Sequence, residues 1–534
     1  MTRRPFRFGL VSILALLMLG LLYWAASPGL RGVEQHSVTG RPPRMHPDYG
    51  GTVIPPNIAP LNFCVDEPGE RYYVKAYSTR GKAVEVVSRT PRIRIPLRAW
   101  KELLDANRGE ELRLDVYVKA VDGHWDRYEA LSNRIAREEI DGYVVYRLFN
   151  SVYNLYEHMS IRQRSTEGYG EAVVWDNSSF GGCVNCHTFL SNRPDRMVIQ
   201  TRSTRRQYGN AMLLVEGSTV RKLDTRTPFT SVPATYVSWH PSGRLLAFSA
   251  NQVRQFFHTA NTEVRDVVDL DSDLAICMTD SGTVTSTPGL CRPDRLETYP
   301  SWSPDGRYLY YCSAPVLWSD RTEAPPEHYS EVRYDLMRIS YDLETGIWGE
   351  PETLLSSDRT GLSITLPRVS PDGRFLLFCM ADYGCFPIHR SGADIYMMDL
   401  RSGSYDRLGV NSDQADTWHS WSSNGRWFVF SSKRPDGLLA RPYFAYVDQE
   451  GTVYKPFLLP QEDPAFYDDF LRTFNLPEFL VQPIQASGEE LSRAVASGTW
   501  VKAQLPVTGA TPGAWPSSLP AGQGGNGSAG ASYH

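Results

Sequence analysis

The segment Pro300-Ser301-Trp302-Ser303-Pro304-Asp305-Gly306-Arg307-Tyr308-Leu309-Tyr310-Tyr311 decides the fold, because it encodes a strand, a tight turn and a second strand. Each turn residue has a physical reason: proline presets the first turn angle, aspartate tolerates the tight backbone, and glycine takes a positive φ. The same pattern recurs, with serine or asparagine replacing the aspartate in two copies, at 237–248, 367–378 and 419–430. The chain is therefore predicted to repeat one β-hairpin.

Further strand pairs lie between these hairpins. One example is Asp394–Leu400, followed by the turn at 402–403 and the run Tyr405–Leu408. Each repeat then supplies about four strands, which is the content of one propeller blade. We predict an all-β protein in which residues 176–481 form a β-propeller of five blades, with six as the alternative.

Length and composition exclude several classes of protein. With 534 residues the chain exceeds what one hydrophobic core serves, so two or more domains are expected. A hydrophobic content of 41% and a charged content of 22% exclude a wholly disordered chain. The net charge is −5 and no long basic stretch occurs, so no nucleic-acid partner is expected.

The N-terminus predicts export from the cytoplasm. Residues 8–26 form an uncharged apolar run long enough to span a membrane as one helix, and residues 3–7 before it carry three arginines. A cleaved signal peptide is the alternative, because residues 25–27 are small. We expect residues 1–28 to anchor the chain in a bacterial inner membrane, with the bulk of the chain in the periplasm.

The remaining segments complete the predicted domain order. Residues 29–60 are a proline-rich spacer, and the short alternating runs of 61–135 suggest a small β-sandwich that resembles immunoglobulin or fibronectin type III modules. Residues 136–175 are interpreted as a connector, and 482–534 as a low-complexity, disordered tail.

The segment Cys183-Val184-Asn185-Cys186-His187 has the attachment pattern of a c-type haem. In that pattern two thioethers anchor the porphyrin and the adjacent histidine binds the iron. A thioredoxin-type redox pair would need a βαβ context, and a structural zinc site would need a second ligand pair, and neither is found. The sequence therefore predicts one covalent haem c, held by Cys183, Cys186 and His187.

Three residues are candidates for the second axial ligand of the iron. His419 lies two residues before Trp421, as His187 lies two before Phe189, so strand periodicity gives the two histidines equivalent positions. A ring of five blades would make the first and fifth blades neighbours. The other two candidates are Met197 and His258.

The six remaining cysteines allow two disulfides in an oxidising compartment. Cys277 and Cys291 bracket a hairpin, and Cys379 and Cys385 bracket a short loop. These two pairs are the predicted bridges.

The Trp-Ser-Pro-Asp-Gly repeats resemble those of TolB-like periplasmic propellers over roughly residues 175–480. The chain from 54 to 480 also resembles a group of bacterial cell-envelope proteins in which a β-module precedes a propeller that carries a haem motif; the segments 183–189 and 421–433 contribute to this resemblance. That group commonly has a histidine where this chain has Gln200. The resemblance implies envelope location and architecture and does not specify a reaction.

Three functions follow from these expectations. The first is a membrane-tethered monohaem cytochrome for electron transfer or redox sensing, with a redox partner or envelope protein at the propeller mouth. The second is a TolB-like protein-binding scaffold. The third is a haem oxidoreductase acting on a small molecule in the propeller channel. Signatures of hydrolases are missing from the chain.

Overall fold

A computed structural model describes residues 32–150, 158–203, 210–227, 232–257, 265–321 and 325–504. The chain divides into two compact units. The first comprises residues up to Arg137 together with Pro460–Asp469, and the second comprises Glu138–Leu459 and the chain after Asp469.

Among residues 32–137 and 460–469, the first unit contains two sheets and one helix. The seven strands of the larger sheet are His36–Val38, Val53–Ile54, Arg71–Tyr77, Val84–Ser88, Glu111–Lys119, Trp125–Arg127 and Leu131–Ile135. The smaller sheet consists of Met45–His46, Phe63–Val65 and Arg92–Ile93. The helix Leu97–Ala106 was not expected; it begins directly after Pro96 and buries Trp100, whose indole nitrogen donates to the carbonyl of Ile58 at 3.1 Å.

The described part of the second unit contains six sheets, which we call blades 1 to 6. Blade 1 has the strands Cys183–Phe189, Arg196–Arg202, Ala211–Glu216, Thr219–Asp224 and Val501–Lys502. Blade 2 has Thr235–Trp239, Leu245–Phe257, Arg265–Met278 and Val284–Thr285. Blade 3 has Arg295–Trp302, Tyr308–Pro315, Asp335–Asp342, Ile347–Trp348 and Glu352–Leu355.

The other three blades repeat this plan. Blade 4 has Ser363–Val369, Phe375–Ala381, Asp394–Asp399 and Tyr405–Arg407. Blade 5 has Asp416–Trp421, Trp427–Ser432, Arg441–Tyr446 and Phe457–Leu458. Blade 6 has, from the inside outward, Arg472–Leu480, Tyr143–Asn150, Ser160–Ser165 and Glu171–Asp176. The helical segments of this unit are Asn177–Ser179, Tyr329–Glu331, Ser357–Thr360, Pro387–His389 and Gly488–Ala496.

The innermost strands close a ring of six blades. Each contacts the innermost strand of the next blade, and that of blade 6 contacts those of blades 5 and 1. Apolar clusters fill the spaces between adjacent sheets, for example between blades 6 and 1 around Val145, Val184 and Met197. This closed arrangement of radial sheets defines a β-propeller.

Blade 6 is assembled from the two ends of the unit. Its inner strand, Arg472–Leu480, pairs antiparallel with Tyr143–Asn150, so the segment 136–175 contributes three strands and is not a connector. The sixth blade also separates blades 1 and 5. The expectation that those two blades are neighbours is therefore wrong, because it assumed a ring of five.

Part of the expected tail is ordered. The helix Gly488–Ala496 begins with a capping box between Ser487 and Glu490, and Val501–Lys502 adds a parallel strand to the edge of blade 1. The prediction of a disordered segment from 482 therefore fails for 488–502. Residues 505–534 lie outside the described residues.

The predicted membrane anchor, residues 1–28, also lies outside the described residues. Within the part of the chain that the structure describes, no helix is long and apolar enough to cross a membrane.

All eight cysteines are free thiols, so both predicted disulfides are absent. The Sγ of Cys277 contacts the carbonyl of Met278, and the Sγ of Cys291 contacts that of Thr287. Cys379 contacts His419. Two cysteines that flank a hairpin or loop in the sequence need not have side chains that face each other, which is why the predicted pairings are wrong.

The number of free thiols can be tested directly. Protein produced without haem-attachment machinery, unfolded in denaturant and titrated with a thiol reagent, should release eight thiols per chain with or without prior reduction. A count of six or fewer in the unreduced sample would contradict this arrangement.

Candidate functional site

Five innermost strands share an irregularity at one equivalent position. Pairing with the second strand is interrupted by a bulge in blades 2 to 6, and one residue of each bulge has a positive φ. These residues, which we call the axial ring, are Tyr236, Tyr299, Leu366, Trp418 and Leu476, with φ between 42° and 57°. Bulky residues rarely adopt this conformation, and it persists only where surrounding structure imposes it.

The aromatic members of the axial ring contact one another across the centre of the propeller. The ring centroid of Tyr236 lies 4.4 Å from that of Tyr299 and 6.2 Å from that of Trp418. These side chains come from three different blades, so they converge on the propeller axis and narrow the central channel.

In blade 1 the haem motif occupies this position. Phe189 and Trp421 each end an innermost strand opposite Met197 and Phe428, so His187 is equivalent to His419, as predicted. Cys186 and Trp418 each come one residue before these histidines, so Cys186 is the counterpart of Trp418 in the axial ring. The bulge of blade 1 lies between Val184 and His187, and no residue in it has a positive φ.

The three motif side chains have different surroundings. Cys183 packs with Phe149 and Met159, and its Sγ lies 3.5 Å from the Met159 Sδ. Cys186 lines a small cavity of about 20 Å³. His187 is 3% exposed, and its ring lies beside the backbone of Val145 and Leu476, although neither ring nitrogen forms a well-aligned hydrogen bond with a described residue.

Two arginines surround the motif. Arg147 and Arg202 line the same cavity as Cys186, and the Arg147 guanidinium donates to Asn475 Oδ1 at 3.0 Å and to Asn185 Oδ1. Arg147 belongs to the segment that was interpreted as a connector. It was missed because its strand pairs with residues more than three hundred positions later in the chain.

Burial controls the protonation of the motif. Burial raises the pKa of Cys183 to about 11 and also raises that of Cys186, although the charges of Arg147 and Arg202 act in the opposite direction. Burial, and then the charge of Arg147, lower the pKa of His187 to about 3. At neutral pH both thiols are protonated and the imidazole is neutral, which leaves a ring nitrogen lone pair for a metal.

The residues present match the chemistry that haem c needs. They are two thiols that are not joined to each other, a buried neutral imidazole, and two cations able to face carboxylates. In this conformation Cys186 opens to the cavity, whereas Cys183 and His187 are packed in its wall. Within the described ranges, no group of three or more His, Cys, Asp and Glu side chains is arranged to hold a metal ion.

The structure does not bring His419 to His187. His419 faces blade 4, with its Nδ1 at 3.7 Å from the Cys379 Sγ, whereas His187 lies beside Val145 and Leu476 of blade 6. Burial lowers the pKa of His419 to about 3, and its Nε2 has no partner within the described segments. Equivalent residues in different blades face different interfaces, and blade 6 lies between these two.

The two other candidate ligands are not placed at the motif's cavity. Met197 is fully buried in the core between blades 6 and 1, where it pairs with Phe189. His258 lies outside the described residues.

No family model matches the chain, and no curated protein matches it. Among solved structures it is similar to an oligogalacturonate lyase from Vibrio parahaemolyticus (12% identity, 72% of this chain, 100% of that chain, TM-score 0.30). It is also similar to a gluconolactonase from Xanthomonas campestris (10%, 60% and 87%, 0.32) and to the Dos1 propeller (16%, 44% and 64%, 0.26). TM-scores this low do not support any inference about the function of this protein. The protein is a six-bladed β-propeller protein because its own six sheets close a ring.

Proposed function

We propose that this propeller is a monohaem c-type cytochrome that transfers electrons or senses redox state. One observation carries the proposal. The Cys-x-x-Cys-His motif lies on the innermost strand of blade 1, with its thiols free and with an imidazole that burial keeps neutral. A buried, neutral imidazole next to two free thiols is the donor set that a c-type haem uses.

Residues of blades 1 and 6 would together hold the haem. Cys183 and Cys186 would anchor the porphyrin through thioethers, and His187 would bind the iron through a ring nitrogen that burial keeps unprotonated. Arg147 and Arg202 supply positive charge toward the carboxylates of the porphyrin. When bound, the iron supplies one-electron chemistry, and the buried surroundings tune its potential.

Location and partners complete the proposal. The apolar run at 8–26 would tether the protein to the inner membrane, with the propeller in the periplasm. A redox protein or another envelope protein would dock at the mouth of the propeller. The absence of a basic stretch in the sequence argues against a nucleic-acid partner.

The test is a pyridine haemochrome spectrum of full-length protein produced in a host competent for haem attachment. We expect one haem per chain with a two-thioether spectrum. Cys186→Ala should give the spectrum of a single thioether, and Cys183→Ala/Cys186→Ala should lose essentially all covalent haem. The control Cys291→Ser, a thiol of blade 2 outside the motif, should keep it. A colourless wild type, or a disulfide between Cys183 and Cys186, would refute the proposal.

The same preparation tests the axial ligand. His419→Ala is expected to leave the iron spectrum unchanged, because His419 contacts blade 4 and not the motif. His187→Ala should change it. A five-coordinate iron that takes up external ligands would favour the haem oxidoreductase over an electron-transfer protein.

A further inference from the structure

The second and third strands of blade 2 are longer than their counterparts in the rest of the ring. Leu245–Phe257 has 13 residues and Arg265–Met278 has 14, whereas the equivalent strands of the other five blades have six to eight. The two strands stay paired along the extra length, but the first strand of the blade pairs only within residues 246–249. The hairpin therefore projects beyond the inner strand. We call residues 252–257 and 265–270 the lid hairpin.

The lid hairpin contacts blade 4, although blade 3 lies between the two. Asp266 forms a buried ion pair with Arg390, and its Oδ2 accepts a hydrogen bond from the Tyr383 hydroxyl at 2.8 Å. Both partners belong to the loop between the second and third strands of blade 4. The Arg390 guanidinium also lies over the Tyr383 ring, 3.7 Å from its centroid. Because blades 2 and 4 are not neighbours, the hairpin must lean across the inner end of blade 3 to make these contacts.

The equivalent loop of blade 3 also holds the lid hairpin. Trp318 Nε1 donates to the carbonyl of Leu270 at 3.1 Å. The Phe256 ring packs edge-on against that of Tyr329, with 5.0 Å between their centroids, and Tyr329 in turn lies 5.9 Å from Tyr383 of blade 4. The outer part of the hairpin is therefore held by side chains from two loops, whereas its base is held by the sheet of blade 2.

The lid hairpin forms part of the wall of the cavity that Cys186 lines. Val253 of the hairpin lines this cavity together with Tyr236 and Trp418 of the axial ring. The blade 4 loop reaches the same place, because the ring of Phe386 lies 6.2 Å from that of Tyr236. The cavity, at about 20 Å³, has room for about one water molecule. A larger molecule can therefore reach Cys186 past the hairpin only if the hairpin moves.

We propose that the lid hairpin is a gate at the axial cavity, held shut by the contacts of Asp266 with Arg390 and Tyr383. Removing one partner of a buried ion pair leaves the other charge uncompensated, so these contacts control the closed state. Elements held by few contacts open at a lower free energy than the whole fold. The outer part of the hairpin can therefore move while the six blades stay folded, and small molecules then enter beside Cys186.

The experiment is site-resolved alkylation of the full chain with iodoacetamide, on protein produced without haem attachment. All eight cysteines are free thiols, so mass spectrometry of the digested protein gives a rate for each one. Cys277 is the internal reference, because it is 1% exposed and lies at the far end of the strand that carries Asp266. Opening of the gate exposes Cys186 alone, and global unfolding exposes both thiols. We expect Cys186 to react at least about ten-fold more slowly in the folded wild type than in urea, yet faster than Cys277.

Two variants weaken the closed state to different extents. Asp266→Asn should raise the ratio of the Cys186 rate to the Cys277 rate by about ten-fold, because it removes the buried carboxylate that faces Arg390. Tyr383→Phe removes only one hydroxyl and should raise the ratio by roughly three-fold. The control Asp394→Asn makes the same change in an ion pair with Arg407 inside blade 4, and it should leave the ratio as in wild type. Comparing each variant with wild type cancels the intrinsic reactivity of each thiol.

Two results would overturn the inference. One is a Cys186 rate that is the same in the folded wild type and in urea, which would show that the cavity is open. The other is an unchanged ratio in Asp266→Asn, which would show that Cys186 is exposed only by global unfolding. If Asp266→Asn does not fold, an unchanged ratio in Tyr383→Phe has the same meaning. The gate does not depend on haem, so these rates and the haemochrome spectrum succeed or fail separately.

Discussion

Asp269→Asn is expected to raise the free energy of unfolding of the propeller at pH 8 by roughly 5 kcal/mol. Asp269 lies in the strand Arg265–Met278 of blade 2 and is 1% exposed. Its Oδ2 accepts from Asn251 Nδ2 at 2.5 Å. Burial raises the pKa of this carboxyl to about 8, and the charges of Asp271 and Asp273 add to the effect.

The direction follows from the two protonation states. In the unfolded chain an aspartate has a pKa near 3.9, so it is ionised above about pH 4, and folding must then rebind a proton. Below that pH Asp269 imposes no cost, and the cost grows by about 1.4 kcal/mol per pH unit until the pH passes the folded pKa of about 8. Asparagine keeps an acceptor for Asn251 and never ionises, so the variant avoids this loss.

Urea unfolding between pH 5 and 8.5 measures the effect. The wild type should lose stability as the pH rises, and Asp269→Asn should lose about 1.4 kcal/mol less per pH unit below pH 8. Burial also raises the pKa values of Glu478 and Asp273 to about 7 and that of Glu297 well above its ordinary value, so the variant keeps the slope that these carboxyls contribute. The control Asp413→Asn, at an exposed position of blade 5, should behave as wild type. Equal slopes for Asp269→Asn and wild type would show that this carboxyl is ionised in the folded protein.

Phe479→Ala is expected to destabilise the propeller by about 3–5 kcal/mol. Phe479 is fully buried on the innermost strand of blade 6, where it pairs with Val144, and its ring centroid lies 5.4 Å from that of Phe444 in blade 5. The substitution leaves a cavity at the blade that closes the ring. Because this strand joins the two ends of the unit, a loss here weakens the closure of the whole propeller.

Denaturant unfolding of the variant gives the measurement. Phe257→Ala removes the same side chain from a position that is 58% exposed in blade 2, and it should cost less than about 1 kcal/mol. If Phe479→Ala cost no more than Phe257→Ala, the closure of the ring by Arg472–Leu480 would be wrong.

Local sequence predicted the hairpins well. The four turn glycines, Gly243, Gly306, Gly373 and Gly425, all have φ between 65° and 73°, as the turn pattern requires. Turn geometry depends on a few adjacent residues, so it can be read without knowing the rest of the chain. The number of blades could not be read in this way. Tyr143–Asn150 has a clear strand pattern, but its partner at Arg472–Leu480 is remote.

The candidate site was likewise only partly predictable from the sequence. Its motif residues were found because Cys183, Cys186 and His187 are adjacent in the chain, and the equivalence of His187 with His419 followed from strand period. The expected closeness of those histidines was wrong, because distance across a ring depends on how many blades it has. Arg147 carries no local signal at all and became visible only when blades 1 and 6 came together around Cys186.

The amino-acid sequence alone determined the β-hairpins, the propeller class and the haem-attachment motif, because each depends on residues within a few positions of one another. The tertiary structure decided the closure by six blades, the free thiols and the arginines beside Cys186. These features arise from pairing between remote strands, whose register is chosen by burial of apolar faces over the whole ring and not by any one segment.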